Sequence, residues 1–370
     1  VKILHLLYES KGDYFGIGGV GMRAYEIYRH LKDHHEVTLL CKKYPAAVNG
    51  ELEGLRHIFV GQESKSLTKT LLAYAYYAAR YVARYGSEYD VVIEEFSPAI
   101  PTFLHAFTEK PIILQVQGFT GRLYFRKYNP FYAMALYGME SLRPHFYDNL
   151  IFVSPQTLRK FSWLGGKRIT IISNGVSSEL LAAPPRKGNY ILYLGRLDVY
   201  GKGLDILLDA YGEFNKSFPD IELVVAGDGR EGDLFKAEII RLPAQVREKI
   251  KLQNWVSGEQ KRNVIMDALY VVFPSRHEAQ PIAVLEAMSS AKAVVVSDIP
   301  EFNFVTQCGA GVSFRKGDAM SLARSMTDLT VSDRREMMEK RGRDYVQGFT
   351  WDAIAKQYES FINDVIAQDK

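Results

Sequence analysis

The sequence predicts an α/β protein of two domains, on three observations: its length, two successive runs of alternating strand and helix signals, and a proline-glycine break between them. At 370 residues the chain exceeds what one hydrophobic core ordinarily serves, so two units are expected. Hydrophobic residues make up 47% and charged residues 24%, the balance of a globular chain with a sizeable core rather than a disordered one.

The first run opens with an apolar stretch at 3–7, a glycine-rich loop from Gly16 to Gly21, helical periodicity over 22–31 and a second apolar stretch at 36–40, together a βαβ unit. Further strands are expected at 57–60, 91–93, 112–116 and 150–153, with helical segments between them. Such alternation implies a mostly parallel sheet covered on both faces. Segment 177–189 contains Ala182-Ala183-Pro184-Pro185-Arg186-Lys187-Gly188, residues that interrupt regular structure. It is expected to link the domains, with Pro184 and Pro185 as a hinge. The second run places strands at 190–194, 221–226, 250–253, 269–273 and 293–297 and helices at 204–214 and 282–289. An amphipathic segment at 351–367 closes the chain and can cross back. The expected domains are 1–176 and 177–350, with 351–370 packing on the first.

Composition narrows the function classes. Cys41 and Cys308 stand alone, without the spacing of a disulfide framework or a zinc site, which points to a reducing cytosol. No stretch approaches the roughly 18 uninterrupted apolar residues of a membrane-spanning helix, and the opening apolar run is too short for a signal peptide. Residues 1–175 carry 21 Lys and Arg against 15 Asp and Glu, the remainder 25 against 28. The basic first half can attract an anionic membrane surface or acceptor, or can be an ordinary solvated surface. No compact basic cluster or RNA-binding aromatic motif accompanies the charge, so nucleic acid is not expected as a partner. A cytoplasmic enzyme is expected, with peripheral contact to the inner face of the membrane as its accompanying option. Two stretches rich in Tyr, Phe and Arg, 71–85 and 119–147, are either core packing or the surface that meets such a lipid.

The chemistry concentrates in the segment Pro274-Ser275-Arg276-His277-Glu278-Ala279-Gln280-Pro281-Ile282-Ala283-Val284-Leu285-Glu286-Ala287-Met288, which follows an apolar strand and opens a helix. Ligands of open α/β sheets bind beyond the carboxyl ends of strands, so this loop is a candidate site. Pro281 suits the first helical turn, and the amides of Ile282 and Ala283 are then free for a phosphate or sugar oxygen. An isolated Glu286 inside that helix would ordinarily face solvent. Gly195-Arg196 and Lys202-Gly203 place two cations just after the first strand of the second domain, where they can neutralise a diphosphate and the charge it develops as a leaving group. Gly227-Asp228-Gly229 follows another strand, and Asn174-Gly175-Val176 precedes the proline segment.

In this order and spacing the motifs resemble the family 4 glycosyltransferases of the GT-B fold, over nearly the whole chain. The resemblance rests on Glu278 and Glu286 with seven residues between them, Gly195-Arg196 with Lys202-Gly203, Asn174-Gly175-Val176, Gly227-Asp228-Gly229, and Gly18-Gly19. It implies two Rossmann-like domains facing each other across a cleft, and a retaining transfer from a nucleotide sugar that needs no metal or other cofactor. It further implies that Glu286 holds the donor ribose, that Glu278 contacts the donor sugar near the reacting carbon, and that Arg196 and Lys202 bind the diphosphate. Gly18 and Gly19 would bring backbone to the donor phosphate from the first domain. Glu278, Arg196 and Lys202 are therefore the catalytic candidates. Donor binding is expected to involve these three with Gly18, Gly19, Ile282, Ala283 and Glu286, and the acceptor to be a glycan, a lipid-linked molecule or a small molecule. Two departures stand out. Gln117 occupies the place where many relatives carry a histidine, and an amide can hydrogen-bond a sugar hydroxyl but cannot act as acid or base. Ala279-Gln280-Pro281 replaces the Gly-aromatic-Gly common after the first glutamate.

Three other readings fit less well. Gly16, Gly18 and Gly21 match G-x-G-x-x-G, but Glu9 to Phe15 separate them from the strand, and Cys41-Lys42-Lys43 stands where a dinucleotide fold puts its ribose-binding acid, which argues against an NAD-dependent oxidoreductase or epimerase. Retaining glycosidases need carboxyl groups about 5 Å apart across the scissile bond, which one loop and its own helix do not provide. A non-catalytic nucleotide-sugar-binding protein would not need Arg196, Lys202, Glu278 and Glu286 together.

Overall fold

The structure is a computed structural model that describes residues 1–10, 18–62 and 66–369. The chain divides into two compact units, Val1–Asn174 with Trp351–Lys370, and Gly175–Thr350.

The first unit is built on eight strands: β1 (Lys2–Leu6), β2 (Glu36–Lys42), β3 (Gly50–Leu52), β4 (Leu55–Val60), β5 (Val91–Glu95), β6 (Ile112–Val116), β7 (Asn149–Phe152) and β8 (Arg168–Ile171). They lie in the order β3-β4-β2-β1-β5-β6-β7-β8, all neighbours parallel except β3 with β4. Every residue of β5 and β6 is buried, as expected where helices cover both faces of a parallel sheet. The helices used below are α1 (Gly19–Leu31), α2 (Leu67–Tyr85), α3 (Tyr124–Lys127) and α4 (Pro130–Leu142). α1 begins three residues before the expected helix, because the second half of the glycine-rich segment is itself helical.

The second unit holds β9 (Tyr190–Leu194), β10 (Glu222–Ala226), β11 (Ile250–Gln253), β12 (Ala268–Phe273), β13 (Val294–Ser297) and β14 (Gly311–Phe314) in the order β11-β10-β9-β12-β13-β14, wholly parallel. Its relevant helices are α5 (Leu204–Asn215), α6 (Gly258–Met266), α7 (Ile282–Ser289) and α8 (Arg335–Val346). The strands missing from the expectation are β3, β8 and β14. Each is three or four residues long and lies at a sheet edge, β3 fully exposed, so none carries an apolar run.

In both units the strand order reverses direction at a switch point, between β1 and β5 in the first and between β9 and β12 in the second. Loops leaving the carboxyl ends of such strands open a crevice. Among the described residues no helix is long and apolar enough to cross a membrane.

The chain leaves the first unit at Asn174–Gly175 and returns at Thr350–Trp351. Val176 bridges to Thr350 and its amide donates to the Phe349 carbonyl at 2.8 Å, which places it in the second unit, two residues ahead of the expected boundary. The last helix, α9 (Trp351–Gln368), packs on α1, with Tyr358 edge-on to Tyr28 and His35 2.6 Å from Glu359. Buried Arg23 of α1 donates to the carbonyls of Ile172 and Ser173 and to the Asn174 side chain, fixing the residues before the first crossing. The hinge expectation at Pro184 and Pro185 is corrected here. Arg343 of α8 donates to the carbonyls of Leu181 and Ala183, and Lys292 donates to that of Arg186 at 2.7 Å, so the proline segment is clamped to the second unit. Prolines interrupt regular structure whether or not a domain ends there.

Candidate functional site

In the second unit the site is assembled by the two loops that leave the switch strands β9 and β12. After β9 the chain turns through 195–203 and enters α5. Gly203, at φ +67°, precedes α5, and a Cβ there would lie 2.1 Å from the Pro274 carbonyl oxygen of the second loop. Only glycine fits both the left-handed backbone and that approach. Gly227 brings the β10 loop equally close, since its Cβ would lie 1.8 Å from the Gly195 carbonyl oxygen. The Asp198 carboxylate accepts from the Gly201 amide at 2.7 Å, and the buried Tyr193 hydroxyl donates to the Arg196 carbonyl at 2.7 Å. Burial holds that phenol well above its ordinary range, so it stays a neutral donor.

The loop after β12 is pinned to this turn by Arg276. Its guanidinium forms a two-pronged pair with Asp205 at 2.8 Å on each arm, donates to the Tyr200 carbonyl and stacks 4.2 Å from the Tyr200 ring centre. The hydrogen bonds to Asp205 raise the arginine's pKa further.

That framework brings Lys202 and Glu278 together. Lys202 Nζ lies 2.6 Å from Glu278 Oε1, which also accepts from the Ser275 hydroxyl at 2.7 Å. The side chains are 20% and 10% exposed, so the pair is screened from water without being sealed. Glu278 Oε2 has no hydrogen-bond partner among the described residues. Three positions on, Pro281 stands as the N-cap of α7 rather than inside its first turn, and supplies no side-chain cap. The amides of Ile282 and Ala283 therefore begin the helix without intrahelical acceptors.

Glu286 does not behave as a solvent-facing helix carboxylate. Its side chain is 12% exposed, and Oε1 lies 2.5 Å from Lys261 Nζ of α6, while Oε2 has no partner among the described residues. Each site glutamate thus has one oxygen held by a lysine and the other open. Arg196 is exposed, and its guanidinium makes no ion pair or hydrogen bond among the described residues.

In the first unit Gly18 is the N-cap of α1 and Gly19 its first residue. The Gly18 amide is already taken. Glu9 Oε2 accepts from Gly18 and Gly21 at 2.8 Å each, and a Cβ on Gly18 would lie 2.8 Å from Glu9 Oε1. Gly19 has open space at its Cβ position. An anion approaching this helix end must compete with a carboxylate for the Gly18 amide. Gly16 and the loop before it lie outside the described residues. Gln117, after β6, donates its amide at 3.0 Å to Glu95, whose carboxylate is buried beside His5 at 3.3 Å and also accepts from Gln115. With its NH₂ on Glu95, Gln117 keeps its carbonyl oxygen, which has no partner among the described residues, as an acceptor.

The sequence reading missed Lys261, Ser275, Arg276, Glu9 and Glu95. Ser275 and Arg276 sit inside the segment it singled out. Lys261, 25 residues before its partner, carries no local signal.

Residues 182–345 match the family described as Glycosyl transferases group 1, and residues 17–180 match Glycosyltransferase Family 4. A phosphatidyl-myo-inositol mannosyltransferase of Mycobacterium leprae is 31% identical over 199 residues, 50% of this chain and 51% of that protein. A GDP-mannose:cellobiosyl-diphosphopolyprenol alpha-mannosyltransferase of Xanthomonas campestris is 30% identical over 198 residues, 52% and 51% of the two chains. The match thus spans about half the length of these curated relatives. Sucrose-phosphate synthase from Thermosynechococcus elongatus superposes with a TM-score of 0.82 over 99% of both chains at 18% identity, a likeness of fold. With two family matches that together run through both units, the chain belongs to the family 4 glycosyltransferases and has their GT-B fold.

Proposed function

We propose that the chain transfers a glycosyl group from a nucleoside diphosphate sugar to a lipid-linked acceptor, with retention of configuration and without a metal. The observation that carries this reading is the pairing of two carboxylates, Glu278 and Glu286, each with one oxygen on a lysine and one open, beyond the switch strands of the second unit. Glu286 Oε2 accepts from a ribose hydroxyl. Glu278 Oε2 contacts the donor sugar near the reacting carbon. Lys202 keeps ammonium protons beyond the one it gives Glu278, and with exposed Arg196 neutralises the diphosphate as it leaves. The Ile282 and Ala283 amides add oriented donors at a helix start. Protein cations thus supply the charge that a divalent metal supplies in other transferases. Gln117 has no proton to trade at neutral pH, so its carbonyl receives and orients an acceptor hydroxyl.

A lipid-linked acceptor is favoured by the relatives, whose names specify phosphatidyl-myo-inositol in one case and a diphosphopolyprenol in the other. A cytosolic protein in peripheral contact with the inner face of the membrane fits such an acceptor. The test is donor turnover with chelator present, over a panel of nucleotide sugars and polyprenyl-phosphate or phosphatidylinositol acceptors, with the anomeric proton of the product read by NMR. Transfer in chelator with the donor's anomeric configuration supports the proposal. Loss of transfer in chelator refutes metal independence, and an inverted product refutes retention.

A further inference from the structure

α4 has the sequence PFYAMALYGMESL, and its only charged residue, Glu140, is buried. The buried side is firmly held. Glu140 accepts from the amides of Thr120 and Gly121 at 2.7 and 2.6 Å and from the Tyr124 hydroxyl at 3.1 Å. At the carboxyl end buried Arg143 pairs with Glu94 and donates to the carbonyls of Ser97 and Ile100. The opposite face is apolar and open. Phe131 is 86% exposed, Leu142 64% and Met134 61%, with Tyr137 at the edge. Phe125 of α3 lies 6.3 Å from the Tyr137 ring and Tyr128 follows, both exposed, so the face continues onto α3. Large apolar side chains clustered in this way mark an interaction surface rather than scattered exposure.

Charge identifies the occupant. Between Glu109 and Asp148 the only acid is buried Glu140, whereas Arg122, Arg126 and Lys127 are exposed beside the apolar face. In a symmetric dimer the same patch meets itself, and these like charges would face their own copies across the interface. An anionic bilayer offers both complements, hydrocarbon to the aromatic face and phosphate to the cations. At 13 residues α4 is about 20 Å long, too short to span hydrocarbon about 30 Å thick but suited to lie along its surface. We propose that the α3–α4 face, Phe125 to Leu142, docks this enzyme on an anionic lipid surface. The inference deepens the lipid-linked-acceptor reading and rests on it. α2, the other aromatic stretch, buries Tyr74, Ala75, Ala78 and Val82 in the core and leaves Leu72 and Tyr76 as its exposed large apolar side chains, a smaller patch than that of α3 and α4.

The test is flotation of the full chain with phosphatidylcholine vesicles, with and without phosphatidylglycerol, and measurement of donor-induced thermal stabilisation on the same samples. The wild type should float with the anionic vesicles only, and less as salt rises. The double variant Phe131→Asp/Met134→Asp should lose at least about tenfold in partitioning while keeping its donor shift, since both side chains lie outside the core. A Phe131→Trp variant gives an independent reading, because its exposed indole should shift emission to the blue only with anionic vesicles. No flotation of the wild type, equal flotation of the double variant, or a wild-type dimer that this variant dissociates would overturn the proposal. Intact donor binding in any of these cases would leave the transferase reading standing.

Discussion

Beyond the switch strands of the second unit, Glu278 and Glu286 each pair with a lysine of their own, Lys202 and Lys261, and leave one oxygen open. In the first, Glu95, the last residue of switch strand β5, is buried and commits both oxygens internally, to Gln115, Gln117 and the neighbouring His5. The two units follow one sheet plan and use their carboxylates in opposite ways. In the second, ionised groups are held in pairs and offered to a ligand. In the first, a buried carboxylate orients an amide, and the group presented is neutral. A charged donor with a leaving diphosphate needs the former, and a hydroxyl acceptor can be positioned by the latter.

The largest effect that tests this contrast is at Lys202. Lys202→Ala removes a cation from the leaving group and leaves Glu278 without its ion-pair partner, so turnover should fall about 10² to 10³-fold. A near-normal kcat would break the assignment of charge stabilisation to the second unit. Next is Glu286→Ala, for which donor affinity should fall about tenfold to a hundredfold, the worth of a charged hydrogen bond, as measured by titration calorimetry.

On the first-unit side, Glu95→Gln should free the Gln117 amide to reorient. The expected result is about a tenfold loss in kcat/KM for the acceptor with donor affinity unchanged. A matching loss of donor affinity would show that the two units do not divide the work as proposed. Glu9→Ala should cost about 1 kcal/mol of stability as the α1 cap is lost, yet raise donor affinity by releasing the Gly18 amide. Unchanged donor affinity would remove Gly18 from the donor site.

The smallest effect concerns pH. Burial raises the pKa of Glu140 above the ordinary 4.5, against the pull of the Thr120 and Gly121 amides. The folded chain therefore holds that proton more tightly than the unfolded one. The resulting stability is fully present below about 4.5 and is lost as pH rises through the higher folded value. Chemical denaturation from neutral to acidic pH should show the wild type gaining on Glu140→Gln as pH falls, and a constant difference would contradict it.

Legibility in the sequence followed the range of the interactions. The apolar runs of β9 and β12 announce buried parallel strands because no charged or amide side chain interrupts them, and the openings of β5 and β6 do so ahead of Glu94, Glu95 and Gln115. Lys202 and Glu278 were recognisable because their loops carry local motifs. Lys261 and Glu95 were not, since their importance comes from partners 20 or more residues away and from register across the sheet. The proline segment misled because chain-breaking residues report an end to regular structure, and the cations that clamp it, Arg343 and Lys292, lie far along the chain. The exposed face of α4 was ambiguous in sequence because Phe131 and Met134 read equally well as core.

The central claim is that Glu286 and its neighbours bind a nucleoside diphosphate sugar. Its most direct test is thermal stabilisation of the full chain by a panel of nucleotides and nucleotide sugars in chelator, beside Glu286→Ala, because a ligand bound only to the folded state must raise its stability. One nucleotide series raising Tm in the wild type and failing to do so in the variant is the predicted result. No shift with any of them, or an equal shift in both proteins, would contradict it.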